Sequence, residues 1–412
     1  MLTLKMLQTM EIDINKFMKG KGPKPTVCYP LDIEGDCELW GYHHDESNYY
    51  NVIATAKPSP EIGGAAPKLL GRFYAQKPEA APSGDDIYGY REEDKIHFYT
   101  DAGKPCELEG YSLKIDIFSR NTGILESDIM LRKGAVIIGC GSVGSLVALE
   151  LARAGVGRFF LIDMDIFSYH NICRHQCGIL DVGKYKTTAL RERILQINPS
   201  AEIRVSHTRI QDVPLADIEP FCGPNAVMVG CADNREGDYY AAQMLAKPHG
   251  MPFISIGCWE RAFAGEIFYC LPEGMPDYSD FMATMSETSG RVQANTHIYM
   301  GEVGSFEPGI SADINFVTTI GVKMILDLLN RDNPGYTQRL IGSLTQYTLI
   351  CNTNNPKIGG DMAEIFAYPL QVTRSIMLDY APKPEAADAG APAAPEPPAE
   401  NNEETTTPQT DK

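Results

Sequence analysis

The sequence contains no run of about 18 apolar residues, so no membrane-spanning helix is expected. Its 11 cysteines include no CxxC pair. That argues against a disulfide-framed scaffold and fits a reducing, cytoplasmic setting. Positive charge is short: 36 Lys and Arg stand against 54 Asp and Glu, a formal net charge of -18. A broad nucleic-acid footprint is therefore unexpected, although a local basic site could still exist. The opening stretch MLTLKMLQTMEIDINKF carries acids within its apolar part, which argues against a secretory signal. There is no internal repeat. What is present is a chain of 412 residues, 43% hydrophobic, enough for two domains and a tail.

Composition divides it. Residues 1–118 hold short β-like runs, CELWGYHH, YYNVIATA, KIHFYT and YSLKIDIF, broken by Pro, Gly and Asp. A small α+β domain is expected there. Residues 119–355 alternate strand and helix: AVIIG, SVGSLVALELARA, RFFLID, KYKTTALRERILQIN, AEIRVS and NAVMVGC. That order predicts an α/β, doubly wound, Rossmann-like and mostly parallel sheet. Residues 356–380 read as a C-terminal extension. Residues 381–412, rich in Pro, Ala and Glu without large apolar side chains, read as a disordered tail.

The chemistry begins at GCGSVGS, where Gly139, Gly141 and Gly144 have the spacing G-x-G-x-x-G and Ser142 opens the next helix. Such glycines bring amide groups and a helix N-terminus against phosphate. Asp163, at the end of the following strand, suits ribose hydroxyls. Both NAD and ATP fit to this point. The crossover that follows, IFSYHNICRHQCGILDVGKYK, adds Asn171, Arg174, Lys184 and Lys186. Cations there suit attack on the α-phosphate of ATP, because they neutralise charge on phosphorus and on leaving pyrophosphate. GCADN then sets Asp233 just past the fourth strand, where a carboxylate can hold Mg2+ bridging phosphates.

Taken together, these motifs resemble the ThiF/MoeB superfamily, the adenylating core shared with ubiquitin-like activating enzymes. The resemblance runs from about Ile117 to about Asn330. The family's glycine turn appears as GCGSVGS, its D-x-D…SN-x-x-R-Q as DMDIFSYHNICRHQ, and its C-T/A-D-N as CADN. The lysine of its G-x-x-K element falls on Lys186, and its upstream arginine matches Arg120 in FSRNTG. The resemblance implies that Mg-ATP adenylates the C-terminal carboxylate of a small ubiquitin-like protein, usually ending in Gly-Gly. By the same resemblance, Gly139, Gly141, Ser142, Gly144, Asp163, Asp165, Asn171, Arg174 and Lys186 hold the nucleotide. Asp233 holds magnesium, and Arg120 is lent to the partner's site in a homodimer.

The chain also departs from the family. Where many members place a CxxC pair for zinc, it reads MPDYSDFM, with Asp277 and Asp280; only Cys351 lies near the later pair. Carboxylates without thiolates make a poor tetrahedral site, so no zinc is expected. The usual thioester position is occupied by Ser305. Three routes stay open: adenylation alone with the acyl group passed to a sulfur donor or conjugating enzyme, an oxyester on Ser305, or a thioester on Cys258. The first is favoured, because a hydroxyl without a base is a weak nucleophile. In the N-terminal region, Ser83 and Asp86 fit the S-x-x-D of a degenerate JAMM/MPN isopeptidase domain, but FYAQK stands where its H-x-H would fall. His43 and His44 are expected in a loop. Cys140, Cys231 and Cys270 are expected in the core, and helix 313–330 in the core or a dimer interface. The competing readings are an NAD(P)-dependent oxidoreductase, a relative acting on tRNA, and an inactive scaffold.

Overall fold

In a computed structural model, residues 23–58, 66–112, 116–288, 308–353 and 355–361 are described. Seven strands come first: β1 (Thr26–Pro30), β2 (Cys37–His44), β3 (Tyr49–Ala54), β4 (Lys68–Tyr74), β5 (Ile87–Glu92), β6 (Lys95–Thr100) and β7 (Glu107–Tyr111). They form one mixed sheet in the order β6-β5-β4-β2-β3-β1-β7. Alternation along the strands turns one set of side chains inward, and Val27, Leu39, Val52, Leu70, Phe73, Ile87 and Phe98 make a core of their own. No helix occurs among the described residues from 23 to 112. The helical part of the α+β expectation is not met by those residues, and residues 1–22, 59–65 and 113–115 lie outside the described residues. His43 and His44 lie at the end of β2, not in a loop, and the His43 ring stacks on Tyr50 at 4.0 Å. Their position continues the strand alternation, which a search for metal spacing ignores.

The second sheet contains β8 (Gly134–Ile138), β9 (Arg158–Ile162), β10 (Glu202–Ser206), β11 (Ala226–Gly230), β12 (Phe253–Cys258), β13 (Ala264–Cys270) and β14 (Tyr347–Cys351). Their order is β10-β9-β8-β11-β12-β13-β14, with the first five strands parallel and β13 antiparallel to both of its neighbours, β12 and β14. β8 and β11 are buried along their whole length, as continuous apolar runs between two helical layers must be. Helices α1 (Ser142–Arg153), α2 (Lys186–Ile197), α3 (Arg235–Tyr239), α4 (Tyr278–Thr288) and α5 (Ser311–Leu329) follow or flank these strands. α5 lies against α1, β12 and β13. Its Ile325 and Leu329 are buried, and the half-buried Phe316 and Ile320 pack on the same core. Each fully buried side chain of this size contributes about 1.5–3 kcal/mol. No helix among the described residues is long and apolar enough to cross a membrane.

Strand order reverses between β8 and β11, since β9 and β10 extend one way and β12 to β14 the other. The crevice outside the carboxyl ends of β8 and β11 is where ligands bind in such sheets.

Candidate active site at the reversal of the sheet

β8 is followed by Gly139, whose φ of +87° places it in the left-handed region. A Cβ there would lie 2.7 Å from the Ala232 backbone, so only glycine lets the turn close on the loop after β11. A methyl on Gly144 would run into the Gly139 carbonyl oxygen. Around Gly141, in contrast, nothing lies within 4 Å of an added Cβ. The turn is thus packed by the protein at its two ends and open in the middle. Gly141 caps α1, whose first amides have no acceptor within the helix.

Asp163 fastens the turn to the end of β9. One carboxylate oxygen accepts from the Cys140 amide at 2.7 Å and the other from the Asp165 amide at 2.8 Å. Each oxygen keeps a further lone pair for a ligand hydroxyl. Burial raises the Asp163 pKa, and the nearby Lys186 charge opposes that rise. Lys186, the first residue of α2, forms an ion pair with Asp165 at 2.6 Å, its side chain only 12% exposed. Asn171 accepts from the Ser168 amide at 2.8 Å and so shapes the crossover turn.

On the other side stand Asp233, Arg174, Cys258 and Asp313. Burial first, then the Asp233 and Asp313 charges, push the Cys258 thiol up to about 12, with Arg174 opposing them. These four groups therefore share one electrostatic neighbourhood at the ends of β11 and β12. Asp233 is exposed, with φ of +51°, immediately before the Asn234 cap of α3. Arg261 and Ala262, just past β12, are also left-handed, at φ +54° and +52°. Non-glycine residues in this region store strain, and here they gather along one sheet edge. The Arg174 guanidinium lies 3.8 Å from the Cβ position of Gly309, ahead of α5.

The fold thus brings together Gly139, Gly141, Ser142, Gly144, Asp163, Asp165, Asn171, Arg174, Lys186, Asp233 and Cys258. Arg120 is not among them within one chain. It is exposed, and the adjacent Asn121 side chain donates to the Arg153 carbonyl at the far end of α1. The 12 residues of α1 span about 18 Å. Ser305 lies outside the described residues. Asp277 and Asp280, the aspartates of MPDYSDFM, cap α4: Asp277 accepts from the Ser279 and Asp280 amides and pairs with Lys247 at 2.6 Å, while Asp280 accepts from the Asp277 amide.

Two residues at the site escape a reading by motif. His175 is buried behind the glycine turn. Asp238 is buried below Asp233, and burial, then the Asp233 and Glu266 charges, push its carboxyl up to about 7. His175 lies within the quoted crossover stretch DMDIFSYHNICRHQ but nothing there marks its role, and Asp238 has no sequence signal beyond being polar beside a motif.

A model of the ThiF family matches residues 119–356, more than half of the chain. The chain belongs to the ThiF family. Among curated ThiF relatives, a "probable molybdopterin-synthase adenylyltransferase" of Porphyra purpurea is 26% identical over 225 residues, covering 54% of this chain and 54% of that protein. The ubiquitin-like modifier-activating enzyme 5 of Dictyostelium discoideum is 26% identical over 237 residues, covering 48% and 58%. The chain spans less than two thirds of either relative. Among solved structures, E. coli MccB with ATP is 19% identical with a TM-score of 0.41, covering 57% of this chain and 68% of that one.

Proposed function

We propose that the protein uses Mg-ATP to adenylate the C-terminal carboxylate of a small ubiquitin-like or sulfur-carrier protein ending in glycine. A carboxylate oxygen forms a bond to the α-phosphorus, the bond to the bridging oxygen breaks, and pyrophosphate leaves with that electron pair. The observation that carries this reading is the convergence, at one sheet edge, of an open glycine turn, Asp163, Lys186, Arg174 and Asp233. The ThiF membership and the names of the relatives point the same way. Asp163 takes the ribose hydroxyls, the amides of Gly141 and Ser142 take phosphate, and Lys186 and Arg174 take the charge that builds on the α-phosphate. No group of three or more His, Cys, Asp or Glu residues that could hold a metal occurs among the described residues. This suits Mg2+, which accepts one or two carboxylates and is otherwise held by phosphates and water; Asp233 would be the protein's contribution. Magnesium neutralises phosphate charge when bound. An NAD(P) dehydrogenase would leave Arg174, Lys186 and Asp233 without work.

The glycine turn offers a direct check. Gly141→Ala meets no protein atom, so thermal unfolding should barely change, while ATP affinity should fall about 10-fold or more as the methyl keeps phosphate off the amides. Gly144→Ala should instead destabilise the fold. An unchanged ATP affinity in the Gly141 variant would remove the turn from the site.

Arg120 enters this reading only from a second copy. In keeping with that, Met164, Ile166, Tyr169, Ile179, Leu180 and Tyr185 expose apolar surface on the crossover. Mixing Arg120→Ala and Asp233→Ala chains should restore part of the activity, since one site of the heterodimer keeps both groups. No recovery after confirmed subunit exchange would count against a shared site.

For transfer, the favoured route is adenylation without an enzyme-bound ester. A thiol held near 12 is almost wholly protonated at neutral pH, which weighs against Cys258. Enzyme, Mg-ATP and partner run on a denaturing gel should give no covalent adduct. A thiol-sensitive adduct lost in Cys258→Ala would move the nucleophile there, and an alkali-labile adduct lost in Ser305→Ala would establish an oxyester.

A further inference from the structure

The glycine turn must do more than be small. Its amides have to face the ligand before the ligand arrives, or ordering the turn would weaken binding. Three of the hydrogen bonds that hold the turn fix residues 139 and 140. The Gly139 amide donates to the Ile162 carbonyl at 2.8 Å, and the Cys140 amide donates to Asp163 at 2.7 Å. The third reaches the Cys140 carbonyl, which lies 2.7 Å from Nε2 of His175.

The state of that imidazole follows from its partners. The Cys177 amide donates to Nδ1 at 3.0 Å, and an amide can only donate. Nδ1 is therefore bare and Nε2 carries the proton, so the ring donates to the Cys140 carbonyl. His175 is 8% exposed, with its ring edge-on to Phe167 at 4.8 Å. Burial lowers its pKa to about 4, so it stays neutral in this tautomer near pH 7.

A trans peptide is planar, and its C=O and N–H point in opposite directions. Fixing the Cys140 carbonyl toward His175 therefore turns the Gly141 amide the other way. That amide is the one beside the open face of the turn, where an added Cβ would meet nothing within 4 Å.

We infer that His175 is a positioning residue of the nucleotide site: by holding the Cys140 carbonyl, it keeps the Gly141 amide aimed at the phosphates. The inference rests on the ATP reading above. Its ligand is the phosphate chain of a nucleoside triphosphate, and His175 itself touches none of it. A polar side chain with one donor and one acceptor at that reach is required, and an apolar one of similar size fails.

The test compares His175→Leu with His175→Gln in the full chain. Leucine keeps apolar packing against Phe167 and removes both hydrogen bonds, whereas glutamine can supply a donor and an acceptor. ATP binding is measured by calorimetry, with KM and kcat for partner-dependent pyrophosphate exchange. The leucine variant should bind ATP about 10-fold or more weakly, with KM rising more than kcat falls, and glutamine should return affinity to within about 3-fold. Wild-type affinity in folded His175→Leu overturns the inference. So does equal weakening in both variants, since packing and not hydrogen bonding would then be at work. If the leucine variant does not fold, a folded His175→Gln that has lost ATP affinity overturns it as well. Failure of the folded wild-type protein to bind ATP would instead sink the ATP reading, which separates the two failures.

Discussion

Lys186→Ala should lower partner-dependent ATP–pyrophosphate exchange by about 10²-fold or more, the scale of a lost transition-state donor. The ammonium sits at the head of α2 with 12% of its side chain exposed and an ion pair to Asp165 at 2.6 Å. A surface lysine would be solvated and free to swing. This one is held beside Asp163, whose pKa it lowers against the effect of burial. Arg174→Ala should move exchange in the same direction from the opposite side of the crevice. The measurement is isotope exchange into ATP with folded variants. Unchanged exchange would take Lys186 out of the chemistry.

Asp327→Ala should destabilise the fold by about 3 kcal/mol or more, because it strips the acceptor from several buried donors at once. The fully buried Asp327 carboxylate accepts from the Tyr336 hydroxyl at 2.8 Å and from the amides of Arg339, Leu340 and Ile341 at 3.0, 2.7 and 3.0 Å. It ties the C-terminal part of α5 to the segment that leads into β14. The other end of α5 brings Asp313 to the crevice, so the clamp also supports the site. Urea unfolding of the variant measures the loss. A change below about 1 kcal/mol would mean that water replaces the carboxylate.

The placement of the candidate site's residues was legible where chemistry and chain order coincide. The glycines, Asp163 and Asp233 each follow a strand end, so the parallel sheet gathers them without further information, whereas Lys186 is returned to Asp165 by the long crossover that ends at the head of α2. Arg120 was legible as a residue but not as a position, because only the fold sets it at the far end of α1. His175 was not legible: its role depends on a carbonyl 35 positions earlier, a contact that no local spacing encodes. Asp327 was hidden for the same reason, since an acid within an apolar helical run gives no sign of the amides that will meet it. In the N-terminal region, turn residues revealed the strands, while the pairing of β4 with β2 and β5 crosses a long connection that sequence leaves unspecified.

The central claim is that a protein carboxylate attacks the α-phosphorus of ATP. It is tested most directly by labelling the C-terminal carboxylate of a glycine-ended ubiquitin-like protein with oxygen-18 and incubating it with the enzyme and Mg-ATP. A thiol acceptor then takes the acyl group, and mass spectrometry is performed on the released AMP. The account predicts AMP carrying one labelled oxygen, with pyrophosphate as the other product. Unlabelled AMP, or ADP and phosphate in place of AMP and pyrophosphate, would contradict it.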